Sequence, residues 1–566
     1  MLRITLAQIN PTVGDFAGNI ASARRAALQA AQAGAAMIVF PELSLSGYYP
    51  GDLLDEESFL TSVDRGLAEM LAATRDLPHL HWVIGAPLRR EGPGKLLHNG
   101  LLVLKDGRIV LRYAKQLLPT YGIFDERRHF EPGPDVTRVL RIGDTQVGFM
   151  ICEDGWNDDN RDYPVNPFQR LADAAPDLVV SINASPSHVG KREHRHQLFA
   201  SACARHGFSL IYVNQIGGQD QLVYDGASFA VTAREGVVFE AARFQEDIAT
   251  LDFADATFTL AGGEPLPALN RAGLTALEFY RQQIVLGLRD YARRCGFRKA
   301  VVGSSGGIDS ALTLALAVEA LGAPNVSAVT MPSQFSSEGS ISDSQRLCAN
   351  LGIALHQHPI RDLVSAYAGG FEQAFAAPLQ GLAHENLQAR IRGTILMEYS
   401  NAFGHLLLTT GNKSELSVGY CTLYGDTNGG LGLIGDIYKT EVFELSRHLN
   451  ATAGRELIPV SIIDKPPSAE LAPGQRDTDS LPPYETLDTV LKLLIEGTSL
   501  GSEERAAVQA RFAALGASSE GGALVARIRN MIARNEYKRR QAPPVLRVRA
   551  RAFGSGRQMP IAAHYG

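Results

Sequence analysis

Val301-Val302-Gly303-Ser304-Ser305-Gly306-Gly307-Ile308-Asp309-Ser310 carries an apolar run into a small-residue loop, and the loop leads straight into Ala311-Leu312-Thr313-Leu314-Ala315-Leu316-Ala317-Val318. The order reads as strand, loop and helix. Glycines let backbone N–H groups approach an anion closely, and a helix N-terminus adds unpaired donors and a favourable dipole. The expected occupant is a phosphate. A Walker A loop ends in Gly-Lys-Ser/Thr, whereas this one ends in Gly-Ile-Asp-Ser, and no glycine spacing suits a dinucleotide fingerprint. An Asp in the loop can instead hold a magnesium ion that itself holds pyrophosphate. A strand-to-helix turn with packing duties only is the plainer reading of the loop taken alone.

The chain has 566 residues, more than one hydrophobic core usually serves, so two large domains are expected. A 45% hydrophobic and 20% charged composition excludes general disorder. The net charge of -6 argues against a nucleic-acid binder, so any anionic ligand has to be met locally. Met1 to Asn10 reads as a strand, and no apolar run reaches membrane-spanning length; a cytoplasmic protein is expected. The five cysteines, Cys152, Cys203, Cys295, Cys348 and Cys421, lack C-x-x-C spacing, which suggests neither a zinc site nor a disulfide framework.

Along the first half, apolar strands at Leu2 to Ile9, Ala36 to Phe40, Val147 to Ile151, Leu178 to Ile182 and Leu210 to Val213 accompany amphipathic helices, one near Asn19 to Ala33. That is an α/β pattern. Short alternating segments between Leu222 and Phe253 look like closing hairpins, and the Gly- and Pro-rich stretch Ala261 to Pro267 reads as a linker. Domains are therefore expected at 1–261 and 275–566. In the second, strands at Val326 to Thr330 and Leu406 to Thr410 join the loop in a nucleotide-binding parallel sheet.

Three residues of the first domain stand beyond strands or in distinctive loops: Glu42 in F-P-E-L, Lys115 in Y-A-K-Q-L-L-P-T-Y-G and Cys152 in M-I-C-E-D-G-W. Each alone has a plain reading as core or surface. Together they suit a thiol nucleophile, with Glu42 taking its proton and Lys115 stabilising an oxyanion. These segments resemble the Glu-Lys-Cys triad of the nitrilase family, which implies an α-β-β-α sandwich from Met1 to about Ala261. Within that resemblance, L-P-T-Y-G-I-F-D-E-R-R-H-F and N-A-S-P-S-H-V-G-K-R are similar to the glutamine-hydrolysing members. It implies glutamine contacts at Tyr121, Ser185 and Lys191, with Phe124 in the pocket wall. Glu153 either binds the substrate's ammonium or orients Lys115.

In the second domain, S-G-G-I-D-S resembles the pyrophosphate loop of the N-type ATP pyrophosphatases. Adding H-E-N-L-Q-A-R-I-R-G-T-I-L-M, T-T-G-N-K-S-E, G-Y-C-T-L-Y-G-D-T-N-G-G, I-G-D-I-Y-K-T and K-P-P-S-A-E-L, the region from about Thr275 to Val548 is similar to the ammonia-ligating NAD synthetases. The resemblance implies a doubly wound parallel-sheet domain that binds ATP through Gly303, Ser304, Ser305, Gly306, Gly307, Ile308, Asp309, Ser310 and Thr410. It places deamido-NAD at Asn386, Glu415 and Lys538, and Mg2+ at Asp309 and Glu415. Arg392, Lys439 and Ser468 are weaker candidates for a phosphate-facing shell. The basic end from Arg527 to Arg557 reads as a solvated helix face, as a nucleic-acid patch or, preferably against the acidic chain, as a local neutraliser of phosphates.

A fusion of these two halves implies ATP-dependent amidation of deamido-NAD with ammonia from glutamine, or with free ammonia. A homo-oligomer acting on small molecules, away from nucleic acid and membrane, is expected, with a sheltered passage for the ammonia. Two alternatives remain at this point: another glutamine-dependent adenylating amidoligase, such as a relative of GMP synthetase, and a catalytically silent nucleotide sensor.

Overall fold

The computed structural model describes residues 1–563 and divides into two compact units, Met1–Gly217 with Val223–Gly273 and Gly218–Leu222 with Leu274–Gly566. In the first unit a seven-stranded sheet runs in the order Thr257–Leu260, Asp247–Ala254, Leu2–Gln8, Met37–Val39, His81–Arg89, Leu97–Lys105, Arg108–Ala114. A six-stranded sheet runs Gly236–Glu240, Phe229–Thr232, Ser209–Asn214, Leu178–Asn183, Thr145–Ile151, Val139–Ile142. Both are mixed: strands joined by helical crossovers pair in parallel, and the hairpin strands pair antiparallel.

Side chains alternate across a strand, and the apolar positions follow that period. Leu2, Ile4 and Leu6 of one sheet share a core with Val147, Phe149, Ile151, Leu178, Val180 and Ile182 of the other. The intervening Met150, Val179 and Tyr212 face outward, onto Phe168 and Phe199 of the helices Pro167–Asp173 and Lys191–His206. The helix Phe16–Gln32 lies on the other sheet and buries Ile20, Ala23, Ala27 and Ala30, spaced as one helical face. The result is a helix-sheet-sheet-helix sandwich in which residues just past strand ends are brought together.

In the second unit five parallel strands run Ala354–Gln357, Val326–Thr330, Lys299–Gly303, His405–Thr409, Leu431–Gly432. The chain starts in the middle, builds outward to one edge, then returns to build the other. Such a doubly wound order reverses beside Lys299–Gly303, and ligands bind outside the carboxyl ends of strands at that reversal. The Gly303 to Ser310 loop leaves this strand end and enters the helix Ile308–Leu321. Gly381–Phe403 packs on the central strands, its Ile391 and Ile395 against Val301, Val329 and Leu407.

Three arginines of the basic C-terminal stretch depart from these sequence readings, whereas Arg527, Arg529, Arg534 and Arg540 are exposed, as the solvated reading expects. Arg539, Arg549 and Arg557 are buried rather than solvated or turned to a phosphate. Arg549 donates to Glu496 (2.7 Å), Glu441 (2.7 Å), Glu504 (2.8 Å) and the Tyr280 hydroxyl (2.6 Å). Arg539 and Arg557 both reach Glu536, at 2.8 and 2.9 Å. A guanidinium taken out of water requires several matched acceptors, and the carboxylates around Arg549 come from distant segments that local sequence does not pair. Burial works against the Arg549 cation, yet its carboxylates hold the guanidinium well above its ordinary range. Arg549→Met should therefore destabilise the second unit by about 3 kcal/mol or more, because it strands buried carboxylates. A denaturant midpoint for that unit unchanged from wild type would contradict this.

Candidate active sites

Glu42, Lys115 and Cys152 each lie just beyond a strand end, and the fold gathers them. Lys115 Nζ donates to Glu42 Oε1 at 2.7 Å and to Glu126 Oε1 at 2.8 Å, with all three side chains at most 1% exposed. Asn99 Nδ2 donates to the same Glu42 oxygen at 2.7 Å, and the Ala184 N–H donates to the other at 3.0 Å. Tyr48 donates to Glu126 at 2.6 Å. Burial opposes the Lys115 ammonium, but Glu126 and Glu42 outweigh it and hold the pKa well above the usual lysine value. Lys115 is thus a fixed positive charge, suited to an oxyanion.

Cys152 ends the strand Thr145–Ile151 at φ +43°, in the left-handed region that a residue with a side chain rarely occupies. Asp154 holds this turn: it accepts from Ile151 N (3.1 Å), Gln116 N (2.9 Å), Leu117 N (2.9 Å) and the Tyr113 hydroxyl (2.7 Å). One buried carboxylate therefore fixes the backbone after Lys115 beside the backbone at Cys152. Burial, then the Glu42 charge, push the thiol well above its usual range, with Lys115 opposing. The resting group is a thiol that needs a base, rather than a free thiolate.

Around it, the Tyr121 and Tyr163 hydroxyls donate to Glu153, at 3.1 and 2.9 Å. Glu153 does not hydrogen-bond Lys115; Glu126 fills that place, and the reading of Glu153 as the direct orienter of Lys115 is set aside. Phe124 stacks edge-on to Tyr121, with ring centroids 5.5 Å apart. Ser185 is buried with its N–H on Asn214 Oδ1 at 2.9 Å, and the Lys191 ammonium lies 3.6 Å from the centre of the Trp156 ring. Sequence reasoning passed over Glu126, Asn99, Tyr48 and Tyr163. Glu126 lies in the quoted D-E-R-R-H-F segment, among charged neighbours that give no local sign of its burial.

In the second unit a cavity of about 280 Å³ opens at the glycine loop. Gly303, Ser304, Ser305, Gly307, Ile308, Asp309, Ser310, Thr410 and Glu415 line it, as do Arg392, Lys439 and Ser468. Gly306 does not; its φ is +73°, and a Cβ there would stand 2.4 Å from the Ser340 carbonyl oxygen. Its glycine is required by close backbone approach. Ser310 Oγ ties the loop by donating to Gly307 O at 3.0 Å while accepting from Ser305 N at 3.3 Å.

Lys439 Nζ joins Asp309 Oδ2 at 2.5 Å to Glu415 Oε1 at 3.2 Å, and Asn412 Nδ2 donates to Asp309 Oδ1 at 2.8 Å. Asn412 also caps the helix Lys413–Val418, which places Glu415 at the cavity. Burial pushes Glu415 up to about 8 against the pull of Lys439, and the Asp309 charge adds to the rise. Burial lowers Arg392 to about 10, an environment that favours an anion beside it.

Asn386 and Lys538 are not on the cavity wall. Asn386 Oδ1 accepts from Thr422 Oγ1 at 2.8 Å, and Lys538 Nζ donates to the carbonyls of Gly419 (2.7 Å) and Cys421 (2.8 Å). Both hold one loop, whose Tyr420 does line the cavity.

Two family models match the chain: carbon-nitrogen hydrolase over residues 3–259 and NAD synthase over residues 280–542. The glutamine-dependent NAD(+) synthetase of Synechocystis is 43% identical, over 99% of each chain. That of Thermotoga maritima is 40% identical, over 99% of this chain and 98% of its own. Among solved structures, the glutamine-dependent NAD+ synthetase of Acinetobacter baumannii in complex with ADP superposes with a TM-score of 0.75 at 36% identity, over 99% of this chain and 98% of its own. The one from Cytophaga hutchinsonii gives a TM-score of 0.81 at 20% identity over the same shares, a likeness of fold.

Because Cys152 rests as a thiol, its alkylation by iodoacetamide should keep accelerating as pH rises past roughly 8.5, where an ordinary free cysteine is half ionised. A rate that levels off near neutral pH, read on the Cys152 peptide by mass spectrometry, would contradict the assignment.

Proposed function

The chain belongs to the glutamine-dependent NAD(+) synthetases, and from that membership we propose that its first unit releases ammonia from glutamine while its second amidates deamido-NAD at the expense of ATP. The observation that carries this reading is the buried Glu42–Lys115 pair beside Cys152, in a chain that also carries the glycine loop ending in Asp309.

In the first unit, Cys152 Sγ attacks the glutamine side-chain amide as its proton passes to Glu42. The tetrahedral oxyanion is stabilised by the Lys115 ammonium, whose positive charge the two carboxylates secure. Collapse returns the proton from Glu42 to the leaving nitrogen, so ammonia departs and a glutamyl thioester remains on Cys152. Water, activated by Glu42, then releases glutamate. Tyr121, Ser185 and Lys191 meet the amino-acid end of the substrate, and Glu153, held by two tyrosines, supplies negative charge for its ammonium.

In the second unit, the nicotinate carboxylate of deamido-NAD attacks the α-phosphorus of ATP, and pyrophosphate leaves toward the Gly303 to Ser310 loop. Ammonia then attacks the acyl carbon and displaces AMP, leaving the carboxamide. Arg392 and Lys439 set positive charge against the phosphates. Asp309 and Glu415 present hard carboxylate oxygens to one cavity, a donor set that fits Mg2+ alongside ATP phosphates. When bound, the ion supplies charge neutralisation for the departing pyrophosphate. Asn386 and Lys538 brace the Gly419 to Thr422 loop against deamido-NAD.

The protein acts in the cytoplasm, on small molecules, as a homo-oligomer, apart from nucleic acid and membrane. The acidic net charge of -6 supports a role apart from nucleic acid, and no helix among the described residues is long and apolar enough to cross a membrane.

With deamido-NAD, ATP and magnesium supplied, Cys152→Ala should lose glutamine-driven NAD formation by roughly a thousandfold or more while ammonium-driven formation stays within about twofold of wild type. Equal loss with both nitrogen donors, or full retention with glutamine, would overturn the reading. NAD, AMP and glutamate are the products to measure.

A further inference from the structure

Asp52 and Asp55 lie in the 3-10 turn Gly51–Asp55. Three residues complete a turn of such a helix, so side chains three apart eclipse and both carboxylates leave the same side. Leu54 is buried and pins the turn, while the two carboxylates are 67% and 69% exposed. Facing them is His129, whose side chain is 2% exposed and whose N–H closes the turn Glu126–Arg128 on Glu126 O at 3.1 Å.

His129 Nδ1 stands 2.7 Å from the Tyr49 hydroxyl, which also donates to the Asp125 carbonyl at 3.2 Å. A hydroxyl has one proton. With that proton on the carbonyl, the Tyr49 oxygen accepts from Nδ1–H, and His129 Nε2 presents a bare lone pair. Nε2 is buried and makes no hydrogen bond. Asp52 Oδ1 lies 3.3 Å from it and Asp55 Oδ2 3.5 Å, and all three atoms are within 4.8 Å of one another.

An imidazole lone pair facing two carboxylate oxygens calls for positive charge between them. A hydrogen bond from Nε2 would draw one oxygen to about 2.7–3.2 Å. Two longer, nearly equal separations match instead the edges of a coordination tetrahedron: metal–ligand bonds of about 2.0–2.2 Å set ligand atoms roughly 3.3–3.6 Å apart. We propose that Asp52, Asp55 and His129 form a site for a divalent transition cation, zinc-like in accepting one imidazole nitrogen and two carboxylate oxygens, with solvent completing the shell. The supporting contacts that orient such ligands are in place. Tyr49 fixes the ring, and Arg128 Nη2 holds Asp52 Oδ2 at 3.0 Å, turning Oδ1 inward. The bound ion staples the turn Gly51–Asp55 to the turn Glu126–Arg128. Tyr48, just before the first, donates to Glu126 of the second, so the staple stiffens the wall behind Lys115.

The test uses the full chain, stripped with a chelator and titrated with cobalt(II) without nucleotide, following visible absorption, then with zinc to displace it. Wild type should bind one equivalent, lost on adding zinc. The double variant Asp52→Asn, Asp55→Asn, altered only at exposed side chains and checked for intact fold by circular dichroism, should bind at least about tenfold more weakly. Zinc should raise the melting temperature of wild type and leave that variant unmoved. No cobalt band in wild type would overturn the site, and so would undiminished binding by the folded double variant, which would put the ion elsewhere, such as at Asp309 and Glu415.

Discussion

An ammonium ion shut away from water between two carboxylates is the constraint on which the first unit depends. Lys115 cannot be buried without Glu42 and Glu126, and they cannot be buried together without it. Satisfying all three draws the residue after the strand Arg108–Ala114, a residue beyond Met37–Val39 and the nearby turn Glu126–Arg128 to one point. Cys152 arrives there in a backbone conformation that Asp154 holds in place. Cys152 and the residues proposed as its base and oxyanion partner are therefore products of one packing solution.

The same device recurs in the second unit. Lys439 joins Asp309 to Glu415 at the cavity, and Lys413, wholly buried, joins Asp436 to Glu496 beneath it. Lys413 and Glu415 share a short helix, so the buried pairing anchors the element that presents a carboxylate to the cavity. Asp488 extends the bracing: it accepts from Ser414 at 2.5 Å and from the Thr440 N–H at 2.9 Å, linking that helix to the one that opens at Lys439. The cavity wall is set by charges that solvent does not reach, which favours a preorganised site.

Sequence made visible what is local or periodic. Apolar runs marked the strands at Leu2 and Val147, and the glycine loop announced a strand-to-helix junction, which the fold places at the sheet's reversal point. Glu42, Lys115 and Cys152 were findable because each follows an apolar run and their segments resemble a family. Glu126 was hidden because it stands among other charged residues and its donor Tyr48 lies in a distant segment, so nothing local signals its burial. Arg549 misled for the converse reason: it is basic in sequence, but its acceptors, Glu441, Glu496 and Glu504, are known only once the helices pack. Pairings across long sequence separations decide burial, and single-residue chemistry does not report them.

The account stands on Lys115 being the charge through which glutamine nitrogen is released for the carboxamide of NAD. The direct measurement supplies glutamine carrying heavy nitrogen in its side-chain amide, together with unlabelled ammonium, deamido-NAD, ATP and magnesium, and reads the isotope in the NAD formed. Wild type should yield labelled carboxamide. Lys115→Met should yield unlabelled NAD only, its continued formation from ammonium showing that the second unit still works. Labelled NAD from that variant at the wild-type proportion would contradict the account.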